Sequence, residues 1–242
     1  MSGRIYLRGI PLDVLTSSEA AQRMEQLLSA DGCSVVVTPN CEILYAAEKN
    51  AQLRDALKNA DLAVPDGIGV VKAAKMAGMP LKERLAGIDV CFGTLKICAE
   101  KGVSVFLLGG KPGVAERAAE NLKEQIPGLV IAGTADGYFS ESEETQIIQT
   151  INDSGAGFLA AGLGSPKQEL FMSRSASALK TRACMGVGGS LDVWSKDVER
   201  APERFTKAGL EWLFRLAKQP SRIKRIVKIP AYLLLVKFTK KS

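Results

Sequence analysis

Histidine is absent from all 242 residues, which removes the imidazole base, the Ser-His-Asp and Cys-His nucleophile pairs and the His-ligated zinc site. Acid and base chemistry falls instead to Asp, Glu, Lys, Tyr or Cys. Asp66, in Pro65-Asp66-Gly67, is the leading candidate, because a carboxylate at a strand end facing a cleft can act as a general base. An aspartate before glycine at a helix start is equally an ordinary N-cap. Asn40, in Thr38-Pro39-Asn40, has the same two readings. Lys167 and Gln168 follow Gly164-Ser165-Pro166, where their side chains point into the cleft or into solvent. Gly109-Gly110-Lys111-Pro112 reads as a phosphate cradle at a helix start or as a tight turn.

Two dinucleotide signals fail. Gly67-Ile-Gly69-Val-Val-Lys72 puts Lys where a small residue must pack, and no G-x-x-x-x-G-K-[ST] is present, so neither a Rossmann cofactor site nor a P-loop is expected. There is no D-x-D pair to hold a metal on a diphosphate, and no metal site is expected. A bound diphosphate would then be neutralised by Arg84, in Lys82-Glu83-Arg84-Leu85-Ala86-Gly87, and by Arg215, Arg222 and Arg225. The same three tail arginines also fit a solvated face of a packed helix.

The elements that must position these groups alternate along the chain. Strands are predicted at residues 4–7 and 10–14 as a hairpin, then at 34–37, 62–64, 103–108, 129–133, 157–161 and 183–187. Helices are predicted at 18–28, 41–58, 69–77, 88–100, 112–125, 142–152 and 166–179. The later strands are continuous apolar runs, as in a parallel sheet covered on both faces. The expectation is an α/β fold, a mostly parallel Rossmann-like sheet with helices on both faces. In such a sheet, ligands bind outside the carboxyl ends of the strands, where all the candidate loops fall.

Charge divides the chain unevenly. Residues 200–242 carry 12 Lys/Arg against Glu203 and Glu211, a net of +10, which leaves −4 on the first 199 residues. Leu210, Leu213, Phe214 and Ala217 recur there at helical spacing. Ile229 to Val236 is apolar throughout but spans only about 12 Å as a helix, against roughly 30 Å of bilayer hydrocarbon. Residues 1–195 thus read as the α/β domain and 196–242 as a basic, amphipathic helical appendage lying on an anionic membrane surface. Nucleic acid is disfavoured as a partner, because the tail interleaves aliphatics rather than aromatic platforms. Five cysteines without C-x-x-C spacing and an N-terminus without a signal-peptide core point to the cytoplasm. Exposed apolar tail surface also suggests homo-oligomers away from membrane.

Together these segments resemble the WecG/TagA/CpsF family of glycosyltransferases, and its TagA branch most. The motifs run from Thr38-Pro39-Asn40 and Pro65-Asp66-Gly67-Ile68-Gly69 through Glu83-Arg84-Leu85-Ala86-Gly87 and Leu107-Leu108-Gly109-Gly110. They continue through Asp136-Gly137-Tyr138-Phe139 and Gly162-Leu163-Gly164-Ser165-Pro166-Lys167-Gln168-Glu169 to Arg200-Ala201-Pro202 and Gly209 to Leu216. Where many relatives carry Phe-Asp after the last strand, this chain has Leu191-Asp192.

The resemblance implies a GT-E type fold and an inverting, metal-independent, cofactor-free transfer of N-acetylmannosamine. The donor would be the UDP-sugar and the acceptor N-acetylglucosamine on undecaprenyl diphosphate, at the inner membrane face. The product is the β-linked disaccharide lipid that starts wall teichoic acid synthesis. Carried onto this sequence, Asp66 would be the base, Thr38, Asn40 and Gln168 would position sugar and base, and Arg84 would touch phosphate. Gly109, Gly110, Asp136, Gly137, Gly164, Lys167 and Asp192 would lie along the nucleotide-sugar. Arg215, Arg222 and Arg225 would meet the acceptor diphosphate. Two alternatives stand beside this reading: a related transferase using the uronic acid form of the sugar or another UDP-hexose, and a non-catalytic membrane adaptor.

Overall fold

A computed structural model describes residues 3–207, 211–218, 223 and 227–238. Strands β1 (Arg4–Leu7) and β2 (Ile10–Asp13) form the antiparallel hairpin. The remaining strands are β3 (Ser34–Val37), β4 (Leu62–Ala63), β5 (Val105–Gly109), β6 (Ile131–Ala135), β7 (Phe158–Gly162) and β8 (Ala183–Gly186). They make one sheet in the order β4-β3-β8-β7-β5-β6, with every neighbouring pair parallel. The chain leaves β3 toward one edge and β5 toward the other, so β8 and β7 occupy the centre.

Alternation along each strand feeds two cores. Val36, Leu62, Leu107, Ala160 and Met185 face one side, packed with α1 (Ser17–Leu27), α5 (Gly87–Lys101), α6 (Val114–Gln125) and α9 (Ser190–Trp194). Val35, Val37, Leu108, Leu159 and Cys184 face the other. There they meet α2 (Cys41–Ala47), α3 (Ala51–Lys58), α4 (Gly67–Met76), α7 (Glu144–Asp153) and α8 (Lys167–Ser175). The hairpin is fastened to the sheet edge by Asp13, whose carboxylate accepts from the Ala63 N–H at 2.8 Å and pairs with Arg4 at 2.9 Å.

The single helix expected over 41–58 is two. Asn50 is extended, and its Oδ1 accepts from the Leu53 N–H at 3.0 Å, starting α3 as a fresh helix. Upstream, the Glu48 carboxylate is held by Arg8 at 2.7 Å and Arg54 at 3.1 Å, which pins the break. Strand β4 keeps only two residues, α8 stops at Ser175, and α9 is a short helix that the sequence pattern does not announce.

After residue 200 come α10 (Glu203–Lys207), α11 (Glu211–Lys218) and α12 (Lys228–Phe238). Helix α12 lies on α2 and α4. Its Tyr232 and Val236 are buried in the second core, whereas Leu234 and Phe238 stay exposed. The apolar run at 229–236 therefore serves the body on one face and leaves the other open. Among the described residues, no helix is long and apolar enough to cross a membrane.

Candidate active site

The turns after β3, β4, β5, β7 and β8 open on one cavity of about 650 Å³ at the carboxyl end of the sheet. Thr38, Asn40, Asp66, Arg84, Gly110, Gly137, Gly164, Gln168 and Asp192 line it. Gly109, Asp136 and Lys167 do not line it, although their neighbours Gly110, Gly137 and Gln168 do. Arg215 belongs to α11, and Arg222 and Arg225 lie outside the described residues.

Asp66 occupies the N-cap position of α4 yet makes no cap hydrogen bond to it. Its Oδ1 instead accepts from the Gly87 N–H, at the start of α5, at 2.9 Å. The backbone fixes this arrangement: the Asp66 N–H donates to the Pro39 carbonyl at 3.1 Å, and the Gly67 N–H donates to the Leu85 carbonyl at 3.0 Å. Gly67 accommodates the turn with φ +82°, a left-handed value that favours glycine. Three loops thus converge on one carboxylate.

Thr38 and Asn40 shape the wall beside it. The Thr38 hydroxyl donates to the Gly186 carbonyl at 3.0 Å, tying the end of β3 to that of β8. A Cβ on Gly87 would lie 3.1 Å from Thr38 Cγ2, so only glycine lets α5 start this close. Asn40 caps α2, its Oδ1 accepting from the Ile43 N–H at 3.0 Å.

Next to Thr38 across Gly186, Gln168 is 2% exposed, and its Oε1 accepts from the Gly188 N–H at 3.0 Å. Lys167 is spent on structure: its Nζ donates to the Gly137 carbonyl at 2.9 Å and the Phe139 carbonyl at 2.7 Å, and lies 3.9 Å from the Phe139 ring centroid. Asp136 folds the same loop by accepting from the Tyr138 N–H at 2.8 Å. Gly109, at φ +134°, packs its backbone against Gly162, where any Cβ would collide with the Gly162 carbonyl.

Among the described residues, the cations on the wall are Arg84 and Lys111. Arg84 follows two anchored residues. Glu83 accepts from the Ser17 N–H and hydroxyl, each at 2.7 Å, and Lys82 pairs with Glu19 at 2.6 Å. The Ser17 bonds hold the Glu83 carboxyl below its ordinary range. Cys41 also reaches the cavity, but burial pushes its thiol up to about 12, so it stands there as a neutral apolar group rather than a nucleophile. Among the described residues, no group of three His, Cys, Asp or Glu side chains could hold a metal ion.

Carboxylates, cations and a Gly-rich wall in a cleft of this size suit transfer of a group carried on phosphate. The profile of the Glycosyl transferase WecG/TagA/CpsF family matches residues 5–242. The chain belongs to that family. A protein of Bacillus spizizenii strain W23 is 37% identical over 201 residues, covering 83% of this chain and 77% of its own length. Its name is N-acetylglucosaminyldiphosphoundecaprenol N-acetyl-beta-D-mannosaminyltransferase.

For a WecG/TagA/CpsF glycosyltransferase the cavity wall also holds residues that the sequence reading does not assign, chiefly Glu42, Lys111, Tyr138, Trp212 and Ile229. Lys111 and Tyr138 lie inside motifs already singled out, so their neighbours were the available signal. Trp212 on α11 and Ile229 on α12 reach the cavity from the tail, whose α12 folds back over α2 and α4. Nothing local in the sequence announces that return.

Proposed function

We propose that this glycosyltransferase moves N-acetylmannosamine from its UDP donor to N-acetylglucosamine on undecaprenyl diphosphate in one inverting, metal-independent displacement, with Asp66 as the base. The observation that carries the reading is the Asp66 carboxylate, set on the cavity wall by the Gly87 N–H instead of capping its own helix. The identity of sugar and acceptor follows the name of the Bacillus spizizenii relative.

In this reading Asp66 takes the proton of the acceptor hydroxyl as its oxygen attacks the anomeric carbon. The bond from that carbon to the UDP oxygen breaks, and the electron pair leaves on the diphosphate. Arg84 and Lys111 face that developing charge from the cavity wall, which supports neutralisation by fixed cations. Thr38 and Asn40 hold the strand end and helix start around the base. Asp192, on the same wall, is assigned to the nucleotide.

The chain works from the inner face of the cell membrane, with residues 196–242 as its membrane-associating part. Support comes from the +10 charge of the tail and from Leu213, Ile223, Val227, Leu234 and Phe238, all exposed on or between its helices. The β-linked product begins wall teichoic acid assembly. A panel of UDP-sugars offered with the lipid-diphosphate N-acetylglucosamine acceptor, in the presence of EDTA, tests the reading. Transfer of N-acetylmannosamine alone, undiminished by chelation, is expected. Preference for a uronic acid donor, or loss of transfer with EDTA, would overturn it.

A further inference from the structure

Behind the cavity wall, Glu169 is a buried carboxyl that the proposed reaction does not use. It sits in the first turn of α8, 1% exposed, next to Gln168 in sequence and in space. Glu169 Oε1 accepts from Gln168 Nε2 at 2.7 Å, while Oε2, beside Ser165, makes no hydrogen bond within standard geometry among the described residues. A buried acidic group with an unmet oxygen is costly to keep, which asks for a compensating role.

The amide of Gln168 supplies that role. It has two chemically different ends, and only one orientation presents its oxygen to the Gly188 N–H. The neighbouring acceptor decides the orientation, because a flipped amide would put oxygen against the Glu169 oxygen and nitrogen against the Gly188 N–H. Gly186 packs so tightly on this amide that a Cβ there would lie 2.8 Å from Nε2, so the side chain has no room to settle elsewhere. We propose that Glu169 is a positioning residue that sets the Gln168 amide, and through it the Gly188 turn on the cavity wall.

Burial pushes the Glu169 carboxyl upward, toward its neutral form, in which one oxygen still accepts from Gln168. The contact that the geometry gives it is a hydrogen bond accepted from Gln168, and it is this acceptor that the inference invokes.

The inference rests on Gln168 mattering to transfer, and a mutant cycle separates the two. With kcat corrected for the folded fraction, Glu169→Met should slow transfer by about tenfold, as a sub-ångström misplacement of a site group does. Glu169→Gln, which restores an acceptor without a charge, should return kcat close to the parent. The double variant Gln168→Ala/Glu169→Met should be no slower than Gln168→Ala alone, since a residue acting only through Gln168 has nothing left to act on. Glu169→Asp, which keeps the carboxyl but shortens the reach, should be slow, and it tests the same point if Glu169→Met fails to fold. Parental kcat in Glu169→Met or Glu169→Asp, a Glu169→Gln as slow as Glu169→Met, or multiplicative losses in the double variant would overturn the inference. Parental kcat in Gln168→Ala would overturn the reading of Gln168 itself, and this inference with it.

Discussion

Gly87→Ala is a one-carbon perturbation of the support beneath the proposed base. The added Cβ would sit 3.1 Å from Thr38 Cγ2 and 3.2 Å from Thr38 Cβ, where carbon atoms normally rest about 3.5–4.0 Å apart. Thr38 is held in place, because it is buried just after β3 and its hydroxyl is bonded to Gly186. The start of α5 must therefore retreat by roughly 0.5 Å, to restore ordinary contact. The Gly87 N–H moves with it and loosens its 2.9 Å bond to Asp66.

Overpacking costs about 1–3 kcal/mol, and alanine recovers about 1 kcal/mol of helix propensity, so the net loss of stability is about 0–2 kcal/mol. For a chain of this size that lowers Tm by at most about 8 °C. Catalysis should suffer more than folding. A misplacement of about half an ångström in the base should cost on the order of tenfold in kcat. The assay is release of UDP with saturating donor and lipid acceptor, run beside a thermal melt. Unchanged kcat in a variant with lowered Tm would refute the link between Gly87 and the base.

Glu83 makes stability depend on acid. Its folded pKa is depressed by the Ser17 bonds, so its contribution is complete above the ordinary carboxylate value and is lost as pH falls through the folded one. The stability difference between parent and Glu83→Gln should therefore shrink as pH is lowered through that range, as read by denaturant melts; a difference constant with pH would contradict the Ser17 anchor. Tyr232 separates packing from hydrogen bonding, because its ring is fully buried and, among the described residues, its hydroxyl has no partner. Tyr232→Phe should leave stability unchanged or slightly raised, while Tyr232→Ala should cost about 3–5 kcal/mol in melts; equal losses in both would mean that the hydroxyl is bonded.

Much of the sheet was legible because buried parallel strands have to be continuous apolar runs, and Val105 to Leu108 or Phe158 to Ala161 can be little else. The helix break at Asn50 was not, since an asparagine inside an amphipathic stretch reads alike whether its side chain meets solvent or the Leu53 N–H. The tail was legible only in part. A segment that is apolar on all faces signals a membrane interface as readily as a protein one, and α12 turns Tyr232 toward the body and Phe238 toward solvent.

Within the candidate site, Asp66 and Asn40 presented the same ambiguity in sequence. Only tertiary contacts part them: Asn40 caps its own helix, whereas Asp66 reaches across to α5. Lys167 and Gln168 are adjacent, yet one goes to loop carbonyls and the other to the cavity wall. Glu169 was least legible of all, since acidic residues in a first helical turn are ordinarily solvated.

The central claim is that Asp66 removes the acceptor proton, and Asp66→Asn tests it most directly. Asparagine keeps an oxygen to accept from the Gly87 N–H, so the loop geometry survives while the base is lost. The account predicts a fall in kcat of roughly 10²–10⁴-fold with the donor Kd, measured by calorimetry, unchanged. Transfer at the parental rate in Asp66→Asn would contradict it.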